Sequence, residues 1–496
     1  MYRFLWGAYG LVDRLFARCL PTSWLRAWRG LALRVAHRFF PGRLVVHDVD
    51  QLEALSRDHR WNPPALPEWV YEELEALEDI APELHPRGAL VSAAEFASNP
   101  WTYDLPGECY FALKAKLPAE LDVVLFVPWL KSGGADLGAI RFANALASDF
   151  GKRVAVIATE DADSPWGDRL LPQVTFLEAG SALAPLYELH RTEVVVRLLL
   201  QLAPPTVHIM NSRLAWETVK RFGLAIRQQS RVFASLYCDD MSEQGERVGY
   251  ARTYLSGCHR LLDGVISDNP VTPARWCAET GVNPALFHVV RFPSPEPVAP
   301  VPVGADADGR PRVLWAGRLD RQKRPDLLAR IATEMPDVDF DVYGAAVMDQ
   351  AGDAALKALP NVRLHGGYRG FAALLGVGHA AYLYTSQWDG LPNVLLEAAA
   401  AGLPIVASGV GGVGDFLHAE QRVEPFDDVE GYVRRLRALL ADPAVAPAWV
   451  ARQHARLQEA HSMEAFLAAV AAVPGYLPPE PGAQAPVQDA ALAGSR

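Results

Sequence analysis

Ser386-Gln387-Trp388-Asp389-Gly390-Leu391-Pro392-Asn393-Val394-Leu395-Leu396-Glu397-Ala398-Ala399-Ala400-Ala401-Gly402-Leu403-Pro404-Ile405-Val406-Ala407 is the stretch whose reading decides the fold. Asp389 to Asn393 carries turn chemistry, Val394 to Ala401 is a run of strong helix formers, and Gly402 with Pro404 stops it in the expected order. Free backbone N–H groups therefore gather near Asn393, where they suit an anion, while the carboxylates Asp389 and Glu397 flank them and suit hydroxyl groups. A sugar nucleotide combines both needs.

The segment resembles the signature of retaining glycosyltransferases of family 4 (glycosyl transferases group 1), which has two acidic residues separated by seven positions in the frame Ser-x-x-Glu-Gly-x-Pro-Asn-x-x-x-Glu-Ala-x-Ala-x-Gly-x-Pro. The frame is matched nearly throughout, with Asp389 in place of its first Glu. The resemblance implies an α/β chain of GT-B fold, two Rossmann-like domains facing across a cleft, and here an α-helical N-terminal extension would be added. It further implies transfer of a sugar from a nucleoside-diphosphate donor with retention of configuration and without a metal or other cofactor.

A second match supports it. Arg312 to Ala316 has the pattern of a strand, and the loop Gly317-Arg318-Leu319-Asp320-Arg321-Gln322-Lys323-Arg324-Pro325 precedes a helix from Asp326 to about Glu334. Arg318 offers a planar fork and Lys323 a compact ammonium, a pair suited to neutralising a diphosphate as it departs. The frame is similar to family 4's Gly-Arg-Leu-x-x-x-Lys-x-x-x-x-Leu. By that resemblance Arg318, Lys323, Glu397 and Asp389 are the catalytic set, with Glu397 on the ribose and Asp389 on the donor sugar. Gly317, Gly344, Tyr368, Gly390, Leu391, Pro392, Asn393 and Val394 are then donor-binding candidates in this lobe.

Upstream, Asp122 to Val127 is a buried-strand run that leads through Pro128-Trp129-Leu130-Lys131-Ser132 to Gly133-Gly134 and a helical stretch from Leu137 to Phe150. A Gly-Gly turn lets main-chain amides approach a ligand. The first loop of family 4 enzymes is similar, which adds Gly133 and Gly134 to the donor site. Strand-like segments at 153–159, 174–177, 206–210, 232–237 and 264–267 alternate with helical patterns, the signature of a parallel doubly wound sheet. Polar residues at three strand ends, Asn211, Asp239-Asp240 and Asp268-Asn269, draw attention, and Asn211, Asp239 and Asp240 are the acceptor-side candidates. His208 lies inside its strand and is expected to be a core histidine.

The domain reading follows: 1–45 a basic, aromatic helical segment, 46–120 an accessory region, 121–293 the acceptor domain and 294–311 a Pro/Ala/Gly linker. After it come 312–445 as the donor domain, 446–473 as C-terminal helices that cross back to the first lobe, and 474–496 as a disordered tail. Residues 1–45 hold eight arginines against the single acid Asp13, interleaved with Trp6, Trp24, Trp28 and other aromatics. That composition suits an amphipathic hairpin on anionic lipid at the cytosolic face of a membrane.

The whole chain of 496 residues is acidic, with a formal net charge of −11, which argues against a nucleic-acid partner. Five scattered cysteines show no disulfide or zinc spacing, and a reducing cytosol fits them. No G-x-G-x-x-G follows the first strand, which disfavours a nucleotide-dependent oxidoreductase. The expected partners are a nucleotide-sugar donor and a glycan or lipid-linked acceptor of bacterial surface polysaccharide synthesis. The alternative is a sugar-nucleotide-binding or scaffolding subunit without turnover, suggested by Asp389 and by Met210 standing where relatives often carry a histidine.

Overall fold

A computed structural model describes residues 105–131, 133–295, 309–345, 351–375 and 378–478. The segment 1–45, residues 46–104 and most of the 294–311 linker lie outside the described residues. The chain divides into two compact units, Met1–Ala119 with Ala179–Ala203, and Glu120–Glu178 with Pro204–Arg496.

In the first unit the helix Leu105–Lys114 packs on the helix Glu188–Leu202. The Arg197 guanidinium lies over the Tyr110 ring at 4.9 Å, and the Cys109 thiol donates to Ala182 O at 3.4 Å. The stretch 179–203, assigned by sequence to the 121–293 domain, thus packs with residues that precede that domain. Periodicity shows that a helix has an apolar face, but not which neighbour covers it.

The second unit contains two parallel sheets. The first comprises β1 (Val123–Val127), β2 (Val154–Ala158), β3 (Thr175–Glu178), β4 (Thr206–Met210), β5 (Arg231–Ser235), β8 (Gly264–Ser267) and β9 (Phe287–Val289). Its order is β3-β2-β1-β4-β5-β8-β9, and every adjacent pair is parallel. β1, β2 and β4 are buried along their whole length, which is why their sequences are unbroken apolar runs instead of alternating ones. Between β5 and β8 a small antiparallel hairpin forms from β6 (Asp240–Met241) and β7 (Arg247–Val248). Two-residue strands carry no readable period, and sequence reasoning gave no sign of them.

The second sheet comprises β10 (Arg312–Ala316), β11 (Asp339–Tyr343), β12 (Val362–Gly366), β13 (Ala381–Tyr384), β14 (Ile405–Ser408) and β15 (Arg422–Val423), in the order β12-β11-β10-β13-β14-β15. Apolar side chains cover both faces, Leu327, Ile331 and Tyr432 on one, Leu395, Ala399 and Phe416 on the other. The expected helices appear at Pro325–Glu334 and Asn393–Ala400, the first with Pro325 in its opening turn. In both sheets the strand order reverses beside the central strand, between β1 and β4 and between β10 and β13. Such a switch point opens a crevice beyond the carboxyl ends of the strands.

The C-terminal helices cross between the lobes. Trp449 of the helix Val445–Ala460 belongs to the second lobe's core, whereas Phe466 and Val470 of Met463–Ala472 belong to the first lobe's. The crossing runs beyond the helix, which corrects the assignment of everything after residue 473 to a disordered tail: Tyr476 is fully buried. Its hydroxyl meets His208 Nδ1 at 2.7 Å, and its carbonyl accepts from Thr206 Oγ1 at 2.8 Å. A low-complexity composition concealed this because one large aromatic anchors the segment. His208 is a core histidine, with Nε2 on Ser235 Oγ at 2.9 Å, and burial lowers its pKa to about 3.

Replacing Tyr476 by Ala should cost about 3–5 kcal/mol, as for other buried aromatics, and Tyr476→Phe about 1–2 kcal/mol for the unpaired histidine nitrogen. Urea unfolding of both variants against the native protein checks this, and equal stability of all three would contradict the anchoring role.

Candidate active site

Two helix starts meet at the switch points. After β1, the helix Gly134–Ser148 begins behind Gly133, and after β13 the helix Asn393–Ala400 begins behind Pro392; neither has a side-chain cap. They face each other closely, because a Cβ on Gly134 would lie 3.3 Å from Asn393 Nδ2. Each start presents unpaired N–H groups and the positive end of a helix dipole, so the pair favours an anion between them. Gly133, Gly134 and Asn393 therefore come together as the sequence suggested, and Val394 follows in the same first turn.

The loop after β10 supplies the cations. Lys323 Nζ lies 2.6 Å from Asp389 Oδ2 and 3.3 Å from the Tyr384 hydroxyl. Tyr384 donates to the same carboxylate oxygen at 2.5 Å, and Gly390 N donates to Asp389 Oδ1 at 3.0 Å. Burial foremost, with the Asp389 charge behind it, pushes the Tyr384 phenol well above its usual range. The shorter side chain at the first acidic position thus reaches the lysine of the clamp directly. Arg318 stays largely exposed, with Nε 3.2 Å from Asp320 and Nη2 donating to Gln322 Oε1 at 2.9 Å.

Gly317 and Gly344 make the loop crossing. Gly344 has φ +156°, and a Cβ there would sit 1.8 Å from Gly317 O, so only glycine lets the two loops approach. Tyr368 stands edge-on to Tyr343 at 6.4 Å, and Tyr343 stacks on His365 at 4.3 Å, an aromatic group beside the loop expected to face a base. Glu397, one turn into its helix, is pushed up by burial, an effect the positive charge of Arg141 opposes.

Two contributors from the first lobe were not among the site candidates named from the sequence. Arg141, in the helix Gly134–Ser148, donates from Nη1 to Asn393 Oδ1 at 2.8 Å. Asp268, at the end of β8, accepts from Leu391 N at 2.9 Å and from Asn269 Nδ2 at 2.6 Å. A Cβ on Gly390 would meet that carboxylate at 2.8 Å, so Gly390-Leu391-Pro392 is pressed against the first lobe. The polar end of β8 signalled Asp268, whereas Arg141 gave no signal, since one arginine in an amphipathic helix is usually a solvated face.

The acceptor-side candidates divide. Asp239 is buried, held by Arg252 Nη2 at 2.8 Å, Arg275 Nη2 at 2.9 Å and Trp276 Nε1 at 2.8 Å. Burial resists its ionisation, but the bonds from Arg252 and Trp276 outweigh it and lower its pKa. Named as an acceptor-side candidate from the sequence, Asp239 has its carboxylate engaged within the protein as a structural hub. Asn211 is exposed with φ +67° at the end of β4, and Asp240 is exposed in the hairpin. Among the described residues no group of three or more His, Cys, Asp or Glu side chains is arranged to hold a metal ion.

Residues 310–442 match the family described as Glycosyl transferases group 1. That span is the second lobe with its Lys323–Asp389 pair. The O-antigen biosynthesis glycosyltransferase WbnH of Escherichia coli is 29% identical over 124 residues, 24% of this chain and 36% of that protein, so the match spans about a third of the relative. Among solved structures, Anabaena Alr3699/HepE in complex with UDP and glucose aligns with a TM-score of 0.56 at 16% identity, over 71% of this chain and 98% of that one. Sucrose-phosphate synthase from Thermosynechococcus elongatus aligns at 0.55 with 19% identity, over 70% and 97%. The fold is GT-B.

Burial foremost, with a contribution from Asp389, pushes Asp268 up to about 7. Between an unfolded value of about 4 and that raised one, the folded protein holds more protons than the unfolded chain, so this group makes stability fall as pH rises through that window. Thermal melts from about pH 5 to about pH 8 should show the fall for the native protein and a flatter profile for Asp268→Asn.

Proposed function

We propose that the protein is a retaining, family 4 glycosyltransferase that moves a sugar from a nucleoside-diphosphate donor to a glycan or lipid-linked acceptor in bacterial surface polysaccharide synthesis. The observation that carries this reading is the convergence of two uncapped helix starts with Lys323, Asp389 and Glu397 at the switch points of the two sheets. The donor's diphosphate lies between the helix starts, its charge met by amides near Gly134 and Asn393, by Arg318 and by Lys323. Those fixed charges stabilise the leaving group as the glycosidic bond breaks, the task a metal ion performs in other sites, so no resident cofactor is invoked.

Lys323 bridges the two parts of the donor. Held by Asp389, its ammonium stands between the diphosphate and the sugar, where Asp389 and the Tyr384 hydroxyl meet donor hydroxyls. Glu397 accepts from ribose hydroxyls, and the Tyr343–Tyr368 group lies on the base side. The lipid-side acceptor approaches past Asn211 and Asp240. The WbnH likeness supports a polysaccharide role, and the HepE structure, with its UDP and glucose, supports the donor class.

Arg318→Ala and Lys323→Ala should each lower kcat/KM by about 10²–10³-fold, the loss typical of removing one transition-state donor. Release of nucleoside diphosphate from a panel of common donors, with a lipid-linked acceptor extract, measures it. No release by the native protein above the double variant would overturn turnover and leave the scaffolding reading.

The arginine- and tryptophan-rich residues 1–45 lie outside the described residues, and no described helix is long and apolar enough to cross a membrane. Their composition supports peripheral attachment to anionic lipid at the cytosolic face. The full chain should float with phosphatidylglycerol-containing vesicles and residues 46–496 should not; flotation of both alike would dismiss this role.

A further inference from the structure

The cation that Asn393 and Glu397 share comes from the opposite lobe. Arg141 occupies the third turn of the helix Gly134–Ser148, with its guanidinium carbon 5.7 Å from the centre of the Phe292 ring. Nη1 donates to Asn393 Oδ1 at 2.8 Å, and its charge acts on Glu397. Gly138, one turn before Arg141 on the same helix, packs so tightly on Phe292 that a Cβ would lie 2.5 Å from the ring. Glycine at 138 thus lets the helix pack directly on the Phe292 ring, the same ring that the Arg141 guanidinium faces.

We propose that Arg141 is a positioning residue of the donor site: from the first lobe it orients Asn393 at the phosphate-facing helix start and holds Glu397 as the carboxylate that receives ribose hydroxyls. This rests on the proposed donor site and adds a condition to it, namely that nucleotide binding in the second lobe depends on a side chain of the first.

Three features carry the proposal. The hydrogen bond fixes which way the Asn393 amide faces, because its oxygen is taken by the arginine and its NH₂ is turned to the Gly134 side. Glu397 is half-buried, and burial raises its pKa while the positive charge of Arg141 opposes that rise, so losing the cation shifts it further toward the neutral form, which accepts hydroxyl bonds less well. Among the described residues, Arg141 is the cation that acts on Glu397. Tyr368, after β12, and Tyr382, on β13, are both phenols raised by burial, with Glu397 adding to the rise. His454, from the helix Val445–Ala460, is engaged with Ala399 O at 2.9 Å.

Isothermal titration of the full chain with UDP, ADP and GDP at about pH 6 and about pH 8 tests the idea. For whichever nucleotide the native protein binds, Arg141→Gln should weaken affinity about tenfold, with the larger loss at the lower pH, because removing the cation that opposes the burial-driven rise favours the protonated form of Glu397. In a Glu397→Gln background, Arg141→Gln should lose this pH-dependent part, and the two substitutions should be non-additive. Arg141→Lys, which keeps the charge but not the fork, should restore the pH profile. A loss that is uniform across pH and additive with Glu397→Gln, or no loss at all, would overturn the positioning role. Failure of the native protein to bind any of the three would instead overturn the donor site on which it rests.

Discussion

An uncapped helix start cannot remain uncompensated, and this chain places two of them face to face. Gly133 and Pro392 occupy the capping positions of the helices Gly134–Ser148 and Asn393–Ala400, and neither offers a side-chain acceptor. Serine or aspartate at either position would close the amides locally and strengthen the helix. Glycine and proline leave them open and bring like ends of two dipoles together, an arrangement that an intervening anion relieves. The loops around the site, the glycines that let them approach, and the cations on the far side of the cleft all follow from keeping that space open.

The charges near this space compensate one another within the protein. Asp389 is bound to Lys323 and Tyr384, Glu397 lies in the field of Arg141, and Asp268 takes the Leu391 amide while staying close to its proton. An isolated buried charge is costly, whereas a paired one has a partner to exchange for substrate groups. Asp239, tied to two arginines and a tryptophan, shows the other outcome: its bonds are complete and it holds the scaffold.

The two lobes of the second unit are joined by more than the linker. The C-terminal segment runs from the core containing Trp449 to the core containing Phe466 and Tyr476, and Arg291 pairs with Asp415 at 2.6 Å. Arg321 adds hydrogen bonds to the carbonyls of Met241 and Ser242 in the hairpin. The Ser386–Ala407 motif of the second lobe is thereby completed by backbone and side chains of the first.

By itself the sequence determined the sheets and the loop–helix motif of Ser386–Ala407. Uninterrupted apolar runs such as Val123–Val127 must be buried on both faces, and the helix after Asn393 is bounded by residues whose backbone preferences leave little choice. Lys323, Asp389 and Glu397 were legible because their spacing along one loop and one helix fixes their neighbourhood. Tertiary structure decided what depends on elements far apart in the chain: that Arg141 reaches Asn393, that Asp268 supports Leu391, that Asp239 is enclosed, and that Tyr476 is core. The physical reason is that local propensity sets the direction of a side chain on its own element, while packing between elements sets what it meets.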